Sequence, residues 1–381
     1  MSQKLLSSRS REAAEWAREL LLRPEFTAVG AAIVVVAVFS FMTPLFWTIP
    51  TLASISSVAA ELGIVSIGMT ILLIAGHFDL SVGAILGLAS FFVVTLMNDF
   101  GLSPVVAIVL AVIGATLLGL INGILQTRTG IHSFIITLGT SLVYRGMLLA
   151  FTGGFPRAVD MPRAVSNIIA GPMLFGGMRK SLVWFVLITA LATILLLRTR
   201  LGNWIQAVGQ NPRAAHNLGV NVTRTTVIAF MLSGALAGIV GVMQVARFAS
   251  VDAMRGTGIE LQAVAVSVIG GTLLSGGYGS AIGAMMGAIV LATIQTGLVL
   301  ISAPGFLYTT IMGVIVVGAV LVNNWFSSLI SRIAPMAGEE AEADPTQRVS
   351  SVLDGKEMPR SRGEGAAIFR KVLSAKQEAQ K

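Results

Sequence analysis

Few ionisable side chains fall within the apolar stretches of this sequence, and those few carry its possible chemistry. Glu61, Arg145, Arg247, Arg255 and Glu260 stand in or beside long hydrophobic runs. A charge at membrane depth faces a bundle interior, a wet cavity or an opposite charge. Arg145 and Glu260, each near the outward end of its run, are candidates for a solute pathway, although Arg255 and Glu260 can equally pair across a Gly-rich turn. Asn122 and Gln295 can offer hydrogen bonds to a polar solute. Asp79, in the segment Gly76-His77-Phe78-Asp79-Leu80-Ser81-Val82-Gly83, can cap the helix that follows it or serve as a gate contact.

No catalytic constellation accompanies them, and the chain is not expected to be an enzyme. The three histidines, His77, His132 and His216, are scattered, and neither an HExxH helix nor a Gly-x-Ser-x-Gly elbow is present. His77 and Asp79 do not converge on a helix and have no third ligand nearby, so no metal site is expected. The Gly270–Gly279 segment lacks the Lys-Ser/Thr ending of a phosphate loop. No cofactor is expected in this chain.

The elements that must position these residues are membrane helices. Hydrophobic residues make up 55% of the 381, charged residues 12%, and Cys is absent. A soluble domain carries roughly twice that share of charge. Runs able to cross about 30 Å of hydrocarbon are Thr27–Phe46, Leu52–Ala75, Leu80–Met97, Pro104–Leu125, His132–Phe151, Ser181–Leu197, Thr225–Arg247, Glu260–Leu274, Ala281–Ile301 and Leu307–Phe326. The Leu80 and Glu260 runs are short enough to be tilted or broken. Ten spans place both termini on one side with 19 of the 26 Lys and Arg, which the positive-inside rule reads as cytoplasmic. That asymmetry also accounts for the net charge of +8 without nucleic acid. The organisation read from this pattern is a cytoplasmic segment 1–26, a membrane domain 27–331 and a cytoplasmic, disordered tail 332–381. In the first, Ala13, Trp16, Ala17, Leu20 and Leu21 mark an amphipathic helix lying on lipid. Small-xxx-small pairs at Gly83/Gly87, Gly119/Gly123, Gly234/Gly238 and Gly279/Gly283/Gly287 predict close helix crossings.

One polar insert interrupts the pattern. Within the loop 198–224, the stretch Gly202–Val220 reads as a short surface helix. Asn211 caps it, Pro212 takes its first position, Arg213–Leu218 form its turns and Gly219 ends them. The small Ala214 and Ala215 suit it to a groove on another protein.

Gly76–Gly83 and Gly202–Val220 together resemble the ribose-type permeases of bacterial ATP-binding-cassette importers, which are distantly related to the branched-chain amino acid permeases. Phe134-Ile135-Ile136-Thr137-Leu138-Gly139, Arg145-Gly146, Thr152-Gly153-Gly154, Gly258-x-Glu260, Val268-Ile269-Gly270-Gly271-Thr272 and Ser275-Gly276-Gly277-x-Gly279-Ser280 add to the resemblance, which covers roughly Ile55–Val322. Family members commonly have Gly-Ile at His77-Phe78 and Pro at His132-Ser133. The resemblance implies an all-α polytopic fold of about ten helices, of the vitamin-B12-permease-like (type II) kind, in the bacterial inner membrane. It implies a homodimer or heterodimer of permeases, two cytoplasmic ATPase subunits that bind the ATP, and a periplasmic sugar-binding protein. The coupling helix falls on Asn211–Leu218, with Gly209 before it and Gly219 after it. The solute is then a monosaccharide. Branched-chain amino acids or nucleosides are the alternatives. A secondary transporter would need midspan acids, for which Glu61 is the only good candidate.

Overall fold

The computed structural model describes residues 24–173, 178–315, 317–318 and 321, all within the compact unit Met1–Asn323. The expected surface helix at Ala13–Leu21 and the tail lie outside the described residues. In chain order the helices are α1 (Pro24–Met42), α2 (Ile49–Ile74), α3 (Val82–Asn98), α4 (Pro104–Thr129), α5 (Ser133–Thr152), α6 (Arg163–Ile169), α7 (Ser181–Arg198), α8 (Arg200–Gln210), α9 (Pro212–Asn217), α10 (Val222–Phe248), α11 (Ile259–Ile269) and α12 (Ala281–Leu300). A further apolar helix, α13, occupies Gly305–Ile315. Strands β1 (Arg157–Ala158) and β2 (Ser250–Val251) pair antiparallel.

Six of the helices, α2, α4, α5, α7, α10 and α12, are long and apolar enough to cross a membrane, and α1, α3, α11 and α13 are shorter apolar helices. Nine of the expected runs are therefore helical with shifted ends, and the tenth is helical from its start to Ile315, its end lying outside the described residues. The first stops at Met42 because Thr43 and Pro44 open a separate short turn, Pro44–Trp47. The eighth stops at Ile269, where Gly270 and Gly271 break it. Its 11 residues rise about 16 Å, roughly half of the hydrocarbon thickness.

The long helix α2 is the centre of the bundle, almost wholly buried, and packs against α7, α10, α11 and α12. By contrast α4, α5 and α7 turn most of their apolar surface outward. Water would not tolerate that exposure, whereas lipid does.

The predicted close crossings exist. At the α4–α10 crossing a Cβ on Gly119 would overlap the Phe230 carbonyl, and one on Gly234 would lie 2.5 Å from the Ala115 carbonyl. Only glycine lets these backbones approach so far. Between α2 and α11, Thr70 donates to Ser267 Oγ (3.0 Å), and Ser267 donates to the Ser66 carbonyl (3.1 Å). Hydroxyls thus join two helices where hydrophobic attraction cannot.

Candidate functional sites

The polar insert folds as two helices rather than one. Sequence reasoning missed α8, whose signal is Thr199: its Oγ1 accepts from Gly202 N (3.1 Å) and caps the helix. Asn211 ends α8 and starts α9, its Oδ1 accepting from Arg213 N and Ala214 N (3.1 Å each). Pro212 occupies the first turn of α9, where no amide donor is needed, and Gly219 ends the unit in the left-handed region (φ 85°). Arg213, Ala214, His216, Asn217 and Leu218 form an exposed face, with Leu218 83% exposed. Ala215 corrects the expectation that both alanines face outward, since it is buried against its own chain with Val208 and Val220.

Below this face the backbone of Gly209 is wedged. A Cβ there would overlap the Ile74 carbonyl at the end of α2 and approach Gly277 N to 2.6 Å. Gly277 N in turn donates to the Ile74 carbonyl (2.8 Å). The Gly270–Gly279 segment is therefore packed, with Gly276 and Gly277 against Gly209 and Gln210. A displacement of α8–α9 meets backbone, which cannot deform as a long side chain would.

A second cluster forms at the start of α3. Asp79 is fully buried, and its Oδ1 accepts from Ser81 N (2.8 Å) and Ser81 Oγ (2.6 Å). The expected cap is thus displaced by one step. Ser81 is the N-cap residue of α3 and makes no side-chain cap, while Asp79 holds Ser81. Asn122 Nδ2 donates to Ser81 Oγ (2.7 Å), and Tyr144 donates to Asn122 Oδ1 (3.3 Å). Buried and bonded on both sides, Asn122 ties α3, α4 and α5 together. Phe78 N and Leu80 N donate to Ser133 and Thr137 of α5 (3.0 and 3.1 Å). Ser133, a departure from the family pattern, thereby pins the turn. Burial pushes the Asp79 carboxyl up to about 6, against the pull of the Ser81 bonds. Burial first, then His132, pushes His77 down to about 4.

The third cluster surrounds the segment between α10 and α11, which does not cross the bundle but folds back into it. A Cβ on Gly83, in the first turn of α3, would overlap both the Gly256 carbonyl and Glu260 Oε2. Glu260, expected near the outward end of its span, therefore stands inside the bundle. Its Oε1 accepts from Gly258 N (3.2 Å), capping α11, and its Oε2 is buried without a partner among the described residues. Arg145 crosses from α5 to the same segment and donates to the carbonyls of Ala253 (3.1 Å) and Arg255 (2.7 Å). The alternative Arg255–Glu260 pair is not formed: Arg255 donates to the Ser250 carbonyl (2.7 Å) and lies 4.9 Å from the Phe248 ring centroid. Arg247 pairs with Glu61 instead (2.8 Å), and Gln244 donates to the other Glu61 oxygen (3.0 Å). Phe248 and Gln244 went unnoticed in the sequence, because an aromatic and an amide at a helix end look ordinary until the chain folds back over them. Gln295 is half-buried on α12.

Apolar helices that face outward, polar groups gathered inside and one capped polar insert define a polytopic all-α membrane permease. The chain belongs to the family described as the permease component of the branched-chain amino acid transport system, which matches residues 51–323. It is 32% identical over 302 residues to the ribose import permease protein of Escherichia coli (strain K12), covering 77% of this chain and 92% of that one. Identity to the autoinducer 2 import system permease protein of Klebsiella pneumoniae is 34% over 316 residues (83% and 90%). To the xylose/arabinose import permease protein of Sulfolobus acidocaldarius it is 28% over 344 residues (88% and 94%). No solved structure matches.

Proposed function

We propose that this chain is the membrane-spanning subunit of an ATP-driven importer for a monosaccharide of the ribose, xylose or galactose kind. It pairs with a second permease and binds two ATPase subunits on the cytoplasmic side. It receives solute from a periplasmic binding protein. In this reading it crosses the inner membrane ten times in the type II manner, with both termini cytoplasmic. ATP is bound by the partner and no cofactor by this chain.

The observation that carries the reading is the wedge under α9. The exposed face of Arg213, Ala214 and Leu218 stands on Gly209, and Gly209 rests on the end of α2 and on Gly277. An ATPase that grips α9 and moves toward its twin displaces these ends directly. The central helix α2 and the half-length α11, joined by Ser66, Thr70 and Ser267, then tilt, and access alternates between the two sides. Asp79 and Asn122 act in this scheme as a fixed brace, and Arg145 and Glu260 hold the moving segment.

The test uses the absence of native cysteine. Ala214→Cys should label from the cytoplasm and crosslink to a co-expressed ATPase subunit. Periplasmic labelling, or no ATPase recovered with the permease in mild detergent, would overturn the assignment. The family description favours a second reading, branched-chain amino acid import, which ligand screening of the cognate binding protein by thermal shift separates from the first.

A further inference from the structure

The segment linking α10 to α11 has an open side that the coupling scheme does not use. Ala249 adopts a left-handed conformation (φ 51°), β2 follows, and turns then lead through Asp252–Gly258 to the buried start of α11. This non-helical backbone packs against Gly83 and Gly87 of α3 and so enters the bundle, and α11 after it covers only about half of the hydrocarbon. Irregular backbone is tolerated there only where protein buries it or water bathes it. Arg145 and α3 cover one side. Phe248 (50%), Met254 (61%), Thr257 and Leu261 (55%) are exposed. Guanidinium nitrogens of Arg247 and Arg255 that take no part in the described hydrogen bonds favour water there over lipid or a second protein surface.

Phe248 stands at the head of this open side. The Arg247 and Arg255 guanidiniums lie 4.8 and 4.9 Å from its ring centroid. Each has five N–H donors, and the described hydrogen bonds from each engage only one nitrogen, Nη1. Glu61 on α2 braces Arg247 and is itself held by Gln244, whose Oε1 is buried without a partner among the described residues. The charges balance, since Arg255 sits in the field of Asp252 and Glu61 while Arg247 is paired with Glu61.

Resting on the importer reading, we propose that Phe248 with Arg247 and Arg255 forms a contact station for a neutral polyhydroxylated solute in the water-filled route. Free guanidinium N–H groups donate to solute hydroxyl oxygens. The open part of the ring meets the C–H surface of the sugar. A cluster without net charge does not compete as an ion trap, so a neutral solute is held briefly and released.

Phe248→Cys in the otherwise cysteine-free full chain, assembled with its partners in proteoliposomes, tests this directly. The thiol should react with a positively charged, water-soluble methanethiosulfonate, the reaction should stop uptake, and whichever of D-ribose, D-xylose or D-galactose is transported should slow it several-fold. An inert thiol, or a spontaneous disulfide between two copies, would show a lipid or subunit contact and overturn the proposal. Phe248→Ala should lower uptake about tenfold, as loss of one good aromatic contact would, while partner-stimulated ATP hydrolysis continues. Uptake within about twofold of wild type would also overturn it. If the wild-type chain moves none of the three sugars, the monosaccharide reading fails and the sugar contact with it, even where the introduced thiol stays reactive and shows a wet face.

Discussion

The polar insert and the infolded segment between α10 and α11 are both short, Gly-punctuated and non-spanning, yet they are held in opposite ways. The insert is organised by its neighbours in sequence: Thr199, Asn211 and Asn221 each cap the helix that follows them (α8, α9 and α10). The infolded segment is organised from afar, by Arg145 on α5, by Gly83 on α3 and by the β1–β2 pairing. A part that must present a fixed face to a partner benefits from carrying its own scaffold. A part that lines a changing route is better held by several helices, because their relative motion then reshapes it.

Substitutions that exchange these modes of support should show how far the difference goes. The largest effect is expected at Gly209, where the insert rests on distant backbone. Gly209→Arg should abolish uptake while leaving membrane insertion intact. Even Gly209→Ala overlaps the Ile74 carbonyl and incurs an overpacking cost of about 1–3 kcal/mol. Reconstituted uptake at the wild-type rate for Gly209→Arg would break the link between the insert and α2.

Next is Arg145→Ala, which strips two carbonyls of their charged donor. A loss of about 1.5–3 kcal/mol is expected, read as a lower melting temperature and faster proteolysis within 249–258. Arg145→Lys should recover part of it. Unchanged protection of that segment would mean that β1 and α3 hold it unaided.

A smaller and more selective effect is expected at Leu218. Leu218→Asp places a charge on the exposed face of α9 without touching the Ala215–Val208–Val220 packing. Thermal stability should shift by less than about 0.5 kcal/mol, while recovery of the ATPase with the permease falls. Ala215→Trp is the contrasting variant: it should destabilise the insert itself, so its loss of transport does not report on docking.

The smallest effect concerns Asp79 and depends on pH. Its carboxyl is raised to about 6 from an ordinary 3.8, so the folded chain holds that proton more tightly than the unfolded one. The contribution of Asp79 to stability is intact below the unfolded value and is lost as pH rises through about 6. Asp79→Asn keeps an oxygen acceptor for Ser81 and removes that loss. The variant should melt above wild type near pH 7.5, with the difference shrinking toward about pH 5. A difference independent of pH would assign the effect to packing rather than titration.

Much of this was legible in the sequence. The apolar runs, the α9 cap at Asn211, the stop at Gly219 and the small-residue crossings all depend on residues adjacent or one turn apart, and the structure has them. The family resemblance, drawn over Ile55–Val322, agrees with the matched 51–323. What was misread depends on partners beyond the neighbouring turn, some of them far along the chain. Ala215 turns inward because Val208 and Val220 return beneath it, and Asn122 is bonded on both sides because Ser81 and Tyr144 arrive from two other helices. Arg247 finds Glu61 on α2, 186 residues away in sequence.

By itself the sequence determined that this chain lives in lipid, where its helices begin and end within a few residues, and that it carries a self-capped polar insert. These follow from transfer free energy and local hydrogen bonding, which act over a single turn. Only the tertiary structure decided which charges pair, which polar groups are sealed and which strip of irregular backbone is left open. A buried charge takes whichever partner the packing brings within reach, and that is a property of the assembled helices rather than of any one of them.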